Sequence, residues 1–242
     1  MTQLAFQFDN PQAQNETREY AGVIFVGDPH LESRQPGFRK DNYPQTILGK
    51  LEWIFQYAQE NNYLPVFLGD WFERPRDNPN WLISRLLDLL NANLAFTIYG
   101  NHDCADPKLS DDDSLSLLLK GSKLTLLGKH HGDVPKTERI WVGGLELELG
   151  GSNYREPIPR KWDSKASGVI WLTHHDIADD REAERFGNRP RPIPGIDMVI
   201  NGHIHRKLEH VERSGTTCSI LEISAVVRVP RVSPTMSPPS CV

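Results

Sequence analysis

Short apolar runs alternate with helical stripes over the first part of the chain. Ala21–Val26 (AGVIFV) is too short for a helix and rich in β-branched residues, so it reads as a buried strand. Across residues 44–62, Ile47, Leu48, Leu51, Ile54, Phe55 and Ala58 recur at spacings of three and four, which puts them on one face of a helix. Leu64–Leu68 (LPVFL) is the next strand, with Pro65 expected at its start because proline has no N–H to give to a ladder. Residues 80–92 predict a second helix with Leu82, Ile83, Leu86, Leu87 and Leu90 facing inward, and Leu94–Tyr99 a third strand. This β-α-β-α-β order predicts parallel strands joined by right-handed crossovers.

The pattern then changes. Ser114–Lys120 suits a short helix and Lys123–Leu127 a strand. Arg139–Val142 and Leu145–Leu149 flank Gly143–Gly144, a hairpin signal. LELEL alternates as a strand with one face in water should. Gly168–Thr173 and Asp197–Ile200 read as short buried strands, separated by a loop rich in Arg, Pro and Gly at 181–195. Residues 208–227 suggest strands with a turn at Ser214–Gly215. The expected fold class is α/β: two mixed β-sheets packed face to face and flanked by helices. One domain is expected over residues 20–227, after an N-terminal extension at 1–19 and before a Pro/Ser-rich flexible tail at 228–242.

Composition narrows the setting. A chain of 242 residues should bury roughly 70–75% of its unfolded surface and needs no crosslink merely to fold. Cys104, Cys218 and Cys241 are widely spaced and form no CxxC pair, which argues against a disulfide framework or a cysteine zinc site and fits a reducing cytoplasm. The N-terminus has no basic start followed by an apolar stretch, and no apolar run approaches the ~20 residues that span a bilayer. A soluble, cytoplasmic protein without a membrane partner is expected. With a net charge of −5, where a purely electrostatic nucleic-acid binder is normally basic, any contact with DNA or RNA must come from a local patch or from metals.

The polar residues that follow the buried strands carry the chemistry. After Ala21–Val26 comes Gly27-Asp28-Pro29-His30, and after Leu64–Leu68 comes Gly69-Asp70. Leu94–Tyr99 is followed by Gly100-Asn101-His102-Asp103, Gly168–Thr173 by His174-His175-Asp176, and Asp197–Ile200 by Asn201-Gly202-His203-Ile204-His205. Singly, each cluster reads as an ordinary turn or as imidazoles satisfied by backbone groups. Jointly they share one position and one chemistry, and in open α/β sheets sites form beyond the carboxyl ends of strands. Carboxylate, amide oxygen and imidazole without thiolate suit Mn²⁺, Fe, Zn²⁺ or Co²⁺. Asp28, His30, Asp70, Asn101, one of the His174–His175 pair, His203 and His205 are too many donors for one open centre. They suit two divalent cations sharing a carboxylate, an arrangement fitted to phosphate esters.

GDPH, GD, GNHD, a histidine block and GHIH, in that order from about residue 20 to 210, resemble the motif set of the calcineurin-like metallophosphoesterases. The resemblance implies a β-sandwich flanked by helices, a binuclear metal centre with Mn²⁺ as the first choice, and phosphoester hydrolysis. It implies one metal held by Asp28, His30, Asp70 and His205, and a second by Asp70, Asn101, His174 and His203, with Asp70 bridging. His174 takes the place of the single ligand because it directly follows its strand, leaving His175 either at the rim or as a hydrogen-bond partner of a ligand. His102 would bind no metal; it would face the scissile phosphate, with Asp103 accepting its other ring proton. GDWFERP departs from the Asp-Arg-Gly of the family's protein serine/threonine phosphatases and is nearer to DNA-repair nucleases of the SbcD type. The expected partner is thus a phosphoester substrate, DNA or RNA. A small-molecule phosphoesterase for nucleotides, cyclic nucleotides or a lipid pyrophosphate is the alternative, and a non-enzymatic scaffold on the same fold a third.

Loop residues Arg34, Arg39, Lys40, Arg74, Arg76, Arg155, Arg160, Lys161, Arg185, Arg189 and Arg191 either form a phosphate-attracting rim or are ordinary solvated surface. Trp71 and Phe72 either stack on a base or pack under a loop. Trp71, Arg74 and His175 are the candidate substrate contacts.

Overall fold

The computed structural model describes residues 18–129, 134–177, 191–205, 209–213 and 216–220. The expected tail at 228–242, Arg185, Arg189 and the turn at Ser214–Gly215 lie outside these residues, as does all but the end of the expected N-terminal extension. In chain order the elements are β1 (Glu19–Tyr20), β2 (Gly22–Val26), α1 (Tyr43–Asn61), β3 (Tyr63–Phe67), α2 (Asn80–Ala92), β4 (Ala95–Thr97), α3 (Ser114–Gly121) and β5 (Leu124–Leu126). There follow β6 (Glu138–Val142), β7 (Leu145–Ser152), β8 (Gly168–Thr173), β9 (Met198–Asn201), β10 (Glu209–Arg213) and β11 (Thr216–Ile220).

These strands form two sheets. The smaller runs β2-β3-β4-β5 and is parallel throughout, because a helix intervenes between each consecutive pair. The larger runs β1-β6-β7-β8-β9-β11-β10 and is mixed: β6–β7 and β10–β11 are antiparallel, and the other neighbours are parallel. Expecting two mixed sheets therefore held for the larger one only.

The two-residue period of β2 explains how both faces of the small sheet become core. Val23 and Phe25 point toward the large sheet, where they join Leu64, Val66, Phe96, Ile98, Leu149, Ile170, Leu172 and Ile200. Ile24 and Val26 point the other way, onto Leu48, Leu51 and Phe55 of α1 and Leu82, Leu86 and Leu90 of α2. The three- and four-residue spacing read from the sequence is thus the face that packs. On the outer side of the large sheet, Val169, Trp171 and Val199 are covered by Ile158, Trp162, Ile177, Ile193 and Ile196 from irregular segments. Among the described residues, no helix is long and apolar enough to cross a membrane.

Four details differ from expectation. Glu19 lies inside β1, which pairs with β6, so the boundary placed after residue 19 cuts a strand. Pro65 stands in the middle of β3 rather than at its start. β4 begins pairing only at Val66, so at Pro65 the strand is locally an edge and the missing N–H breaks no ladder on that side. Glu148 of the LELEL run is buried instead of wet, accepting from Trp162 Nε1 at 3.1 Å and from the Ser164 hydroxyl. Finally, β7 continues through Gly150 and Gly151 to Ser152, because the Trp171 ring of β8 lies where a side chain on Gly150 would be.

Candidate metal centre

Each candidate ligand follows a parallel strand at its carboxyl end. Asp28 and His30 follow β2, Asp70 follows β3, and the Gly100–Asp103 turn lies beyond β4. His174 follows β8, and His203 and His205 follow β9. The first group comes from the small sheet and the second from the large one, so the cluster sits at the open end of the sandwich. Its backbone is strained: Asp28, His30, Asp70 and His203 all have positive φ, at 23°, 45°, 49° and 71°. Conformations of that kind in non-glycine residues cost of order 1–3 kcal/mol each and gather at functional sites. Two ladder-like bonds, His30 N–H to Asp70 O at 2.9 Å and Leu31 N–H to Trp71 O at 2.8 Å, hold the loops after β2 and β3 side by side.

The donor atoms meet. Ligand atoms of Asp28, His30 and His205 lie within 4.8 Å of one another, and so do those of Asp70, His174 and His203. Asp70 Oδ2 stands between these groups, 3.6 Å from His30 Nε2 and 3.2 Å from His174 Nε2. Asn101 Oδ1 is 3.1 Å from His174 Nε2. The rings of His30 and His205 bring their Nε2 atoms to 3.1 Å, and His205 Nε2 is 3.2 Å from Asp28 Oδ2. Asp28 is fully buried, yet its Oδ1 has no hydrogen-bond partner among the described residues. An orphaned carboxylate oxygen facing imidazole nitrogens is what a cation site requires, because a buried charge is otherwise costly. The residues present therefore fit divalent metals. His30, Asp70 and His102 form a third close group, with the His102 ring centroid 4.7 Å from that of His30.

Electrostatics agree with that geometry. Burial opposes charge on His174, but the hydrogen bond and charge of Asp70, with Asp28 behind it, lift its imidazolium to about 9. Burial holds His30 below its ordinary value despite Asp70. Asp28 raises His205 through a side-chain hydrogen bond.

The remaining candidates divide. His102 donates its backbone N–H to Asp70 Oδ1 at 2.8 Å, and its Nδ1 lies 2.9 Å from the Glu73 carbonyl. That carbonyl, and not Asp103, orients the ring. Asp103 is fully buried and accepts from Trp71 N–H at 2.8 Å and Gly100 N–H at 2.9 Å, so it ties the loop after β3 to the turn after β4. Burial and the neighbouring Asp70 push its carboxyl up to about 8. Trp71 is no substrate contact either. It is fully buried, packs 4.2 Å from the Phe67 ring and donates Nε1–H to Thr97 Oγ1 at 2.9 Å; Phe72 is buried too. Arg74 stays half exposed but pairs with Glu32 at 3.3 Å, and Arg76 is held by Asp113 and Asp106. His175 turns its Nε2 to the Glu156 carbonyl at 2.7 Å, beside the cluster rather than in it.

Three neighbours stand outside the candidate site residues. Glu73 places Oε2 2.9 Å from His30 Nδ1. Asp176 Oδ1 lies 2.9 Å from His203 Nε2. Tyr154 packs its ring 6.4 Å from His174 and 6.2 Å from His203. Because β7 runs to Ser152 instead of the expected Leu149, Asn153-Tyr154 occupies the same strand-end position as the ligands.

The family model described as calcineurin-like phosphoesterase matches residues 22–207, a span that contains every residue of the cluster. Among curated proteins none matches this chain. A solved structure described as a hypothetical protein from Thermus thermophilus is similar at 16% identity, covering 82% of this chain and 75% of that one, with a TM-score of 0.47.

Proposed function

Because the chain belongs to the calcineurin-like phosphoesterase family, we propose that it hydrolyses phosphodiester bonds in a nucleic-acid strand, DNA or RNA, in the cytoplasm, as a nuclease nearest to the SbcD-like branch. The observation that carries this reading is the approach of donor groups from both sheets with Asp70 between them. In it, Asp28, His30, Asp70 and His205 hold one cation, Asp70, Asn101, His174 and His203 hold the other, and Mn²⁺ is the first choice. When bound, the cations supply the positive charge that activates water and offsets charge developing on the phosphoryl oxygens.

The chain's own groups do the rest. With Nδ1–H given to the Glu73 carbonyl, His102 keeps Nε2 for the substrate; in its imidazolium form Nε2–H is the proton for the leaving oxygen. Asp103 holds the spacing between the two loops that carry Asp70 and Asn101.

Metal-stripped protein, supplied in turn with Mn²⁺, Fe²⁺, Zn²⁺, Co²⁺ or Mg²⁺, tests the reading on bis(p-nitrophenyl) phosphate, single-stranded and duplex oligonucleotides, and nucleotides. Incision of oligonucleotides with Mn²⁺ is expected. His102→Ala should keep its metal while losing about 10²–10⁴ in turnover, the usual worth of a general acid. Phosphate release from nucleotides alone would favour the small-molecule alternative. No turnover of any ester with any metal would leave only the scaffold.

A further inference from the structure

The segment after β7 is built more rigidly than a surface turn needs to be. Asn153 is fully buried; its Oδ1 accepts from Tyr99 N–H at 2.8 Å, and its Nδ2 donates to the carbonyls of Leu127 and Lys129 at 3.1 and 3.2 Å. Tyr154 N–H donates to Tyr99 O at 3.0 Å. Glu156 Oε2 accepts from Asn153 N–H at 3.0 Å and Lys129 N–H at 3.1 Å, and the Glu156 carbonyl meets His175 Nε2. At the tip stands Arg155, exposed, with φ at 64°. An arginine in that left-handed conformation is strained where glycine would not be.

Its guanidinium is one ring away from two candidate ligands. It lies 5.2 Å from the ring centroid of Tyr154, the ring that packs near His174 and His203. Its charge also reaches the Cys104 thiol, next to the turn that bears Asn101 and His102. Among the loop arginines, Arg39 pairs with Asp41 at 2.7 Å, Arg74 with Glu32, and Arg76 with Asp113 and Asp106. Arg155 pairs with no carboxylate among the described residues. A rigidly mounted, unpaired guanidinium at the rim of a phosphoester site is suited to two-point binding of a phosphate.

We propose that Arg155 receives the phosphate next to the scissile one in a phosphodiester strand, anchored on the Asn153–Glu156 turn with Tyr154 as its support. This rests on the phosphodiester reading above. It assigns Arg155 a role in substrate affinity and strand preference, not in bond cleavage.

The test measures binding of fluorescently labelled oligothymidylate to Mn²⁺-loaded wild type, Arg155→Gly and Arg155→Lys by anisotropy over a range of salt. Bis(p-nitrophenyl) phosphate turnover, metal content and melting temperature are followed in parallel. Arg155→Gly should bind the strand about tenfold more weakly, the loss of one charge-assisted contact, and its log–log salt slope should flatten by about 0.7. Arg155→Lys should fall between. Bis(p-nitrophenyl) phosphate, which carries only the scissile phosphate, should be turned over within about twofold of wild type, and Arg155→Gly should melt no lower because the strain is relieved. Unchanged strand affinity and salt slope would overturn the proposal. So would an equal loss on both ligands accompanied by lost metal, which would make Arg155 a structural support. Wild type that turns over bis(p-nitrophenyl) phosphate but binds no strand also overturns it, while sparing the metal-centre reading. Arg155-dependent strand binding without turnover of any ester overturns the catalytic reading and leaves the anchor standing.

Discussion

A methyl group on Gly100 would stand 2.6 Å from His174 Nε2 and closer still to Asp70 Oδ1. Gly100→Ala should therefore displace two candidate ligands at once. We expect a loss of about 1–3 kcal/mol of stability from overpacking, together with clearly reduced metal occupancy, measured by elemental analysis beside thermal melts; full occupancy would mean the turn shifts freely. This glycine shows what single residues reveal in a sequence. Strand-end Asp, Asn and His were legible as a set because their position relative to a buried run is visible in the hydrophobic pattern. Where the neighbouring side chains point was not. Trp71 directly follows Asp70, yet it turns into the core, and Asp103 follows His102, yet it turns to Trp71 N–H and Gly100 N–H. The partner of His102 is a backbone carbonyl, which leaves no mark in side-chain spelling.

Between elements, Trp71 fastens the loop after β3 to β4 through Thr97 while packing back on Phe67 of β3. Trp71→Phe keeps most of the packing and removes the indole bond, so stability should fall by about 0.5–1.5 kcal/mol with the KM for bis(p-nitrophenyl) phosphate unchanged. Denaturant melts and steady-state rates check both; a raised KM at full stability would return Trp71 to the substrate. The helices are readable from their clean three- and four-residue spacing, and the first three strands of the parallel sheet from short apolar runs. Paired glycines usually end a strand, whereas in β7 Gly150 and Gly151 make room for Trp171 and Ile98. The staggered start of β4, which admits Pro65 within β3, exists only in three dimensions.

For the whole molecule, protonation links fold to solvent. His174 has its folded value at about 9 and an ordinary unfolded value near 6.5. Its contribution to the stability of the metal-free protein is complete below about 6.5 and is lost as pH climbs through about 9. The raised carboxyl of Asp103 acts in the same direction through about 8. The melting temperature of the metal-free protein should thus decline from pH 6 to 9; a rise over that interval would refute the assignment. That the strand ends would converge could be argued from topology, but not which sheet each strand joins, since pairings such as β1 with β6 link residues far apart in the chain. That division has a mechanical meaning. Asp28, His30, Asp70 and Asn101 belong to one half of the sandwich, and His174, His203 and His205 to the other. An ion gripped by both is a rivet through the seam: shearing one half past the other means breaking its bonds, so cation supply in the cell would govern how readily the enzyme breathes open, and how long it survives proteases, as well as how fast it works.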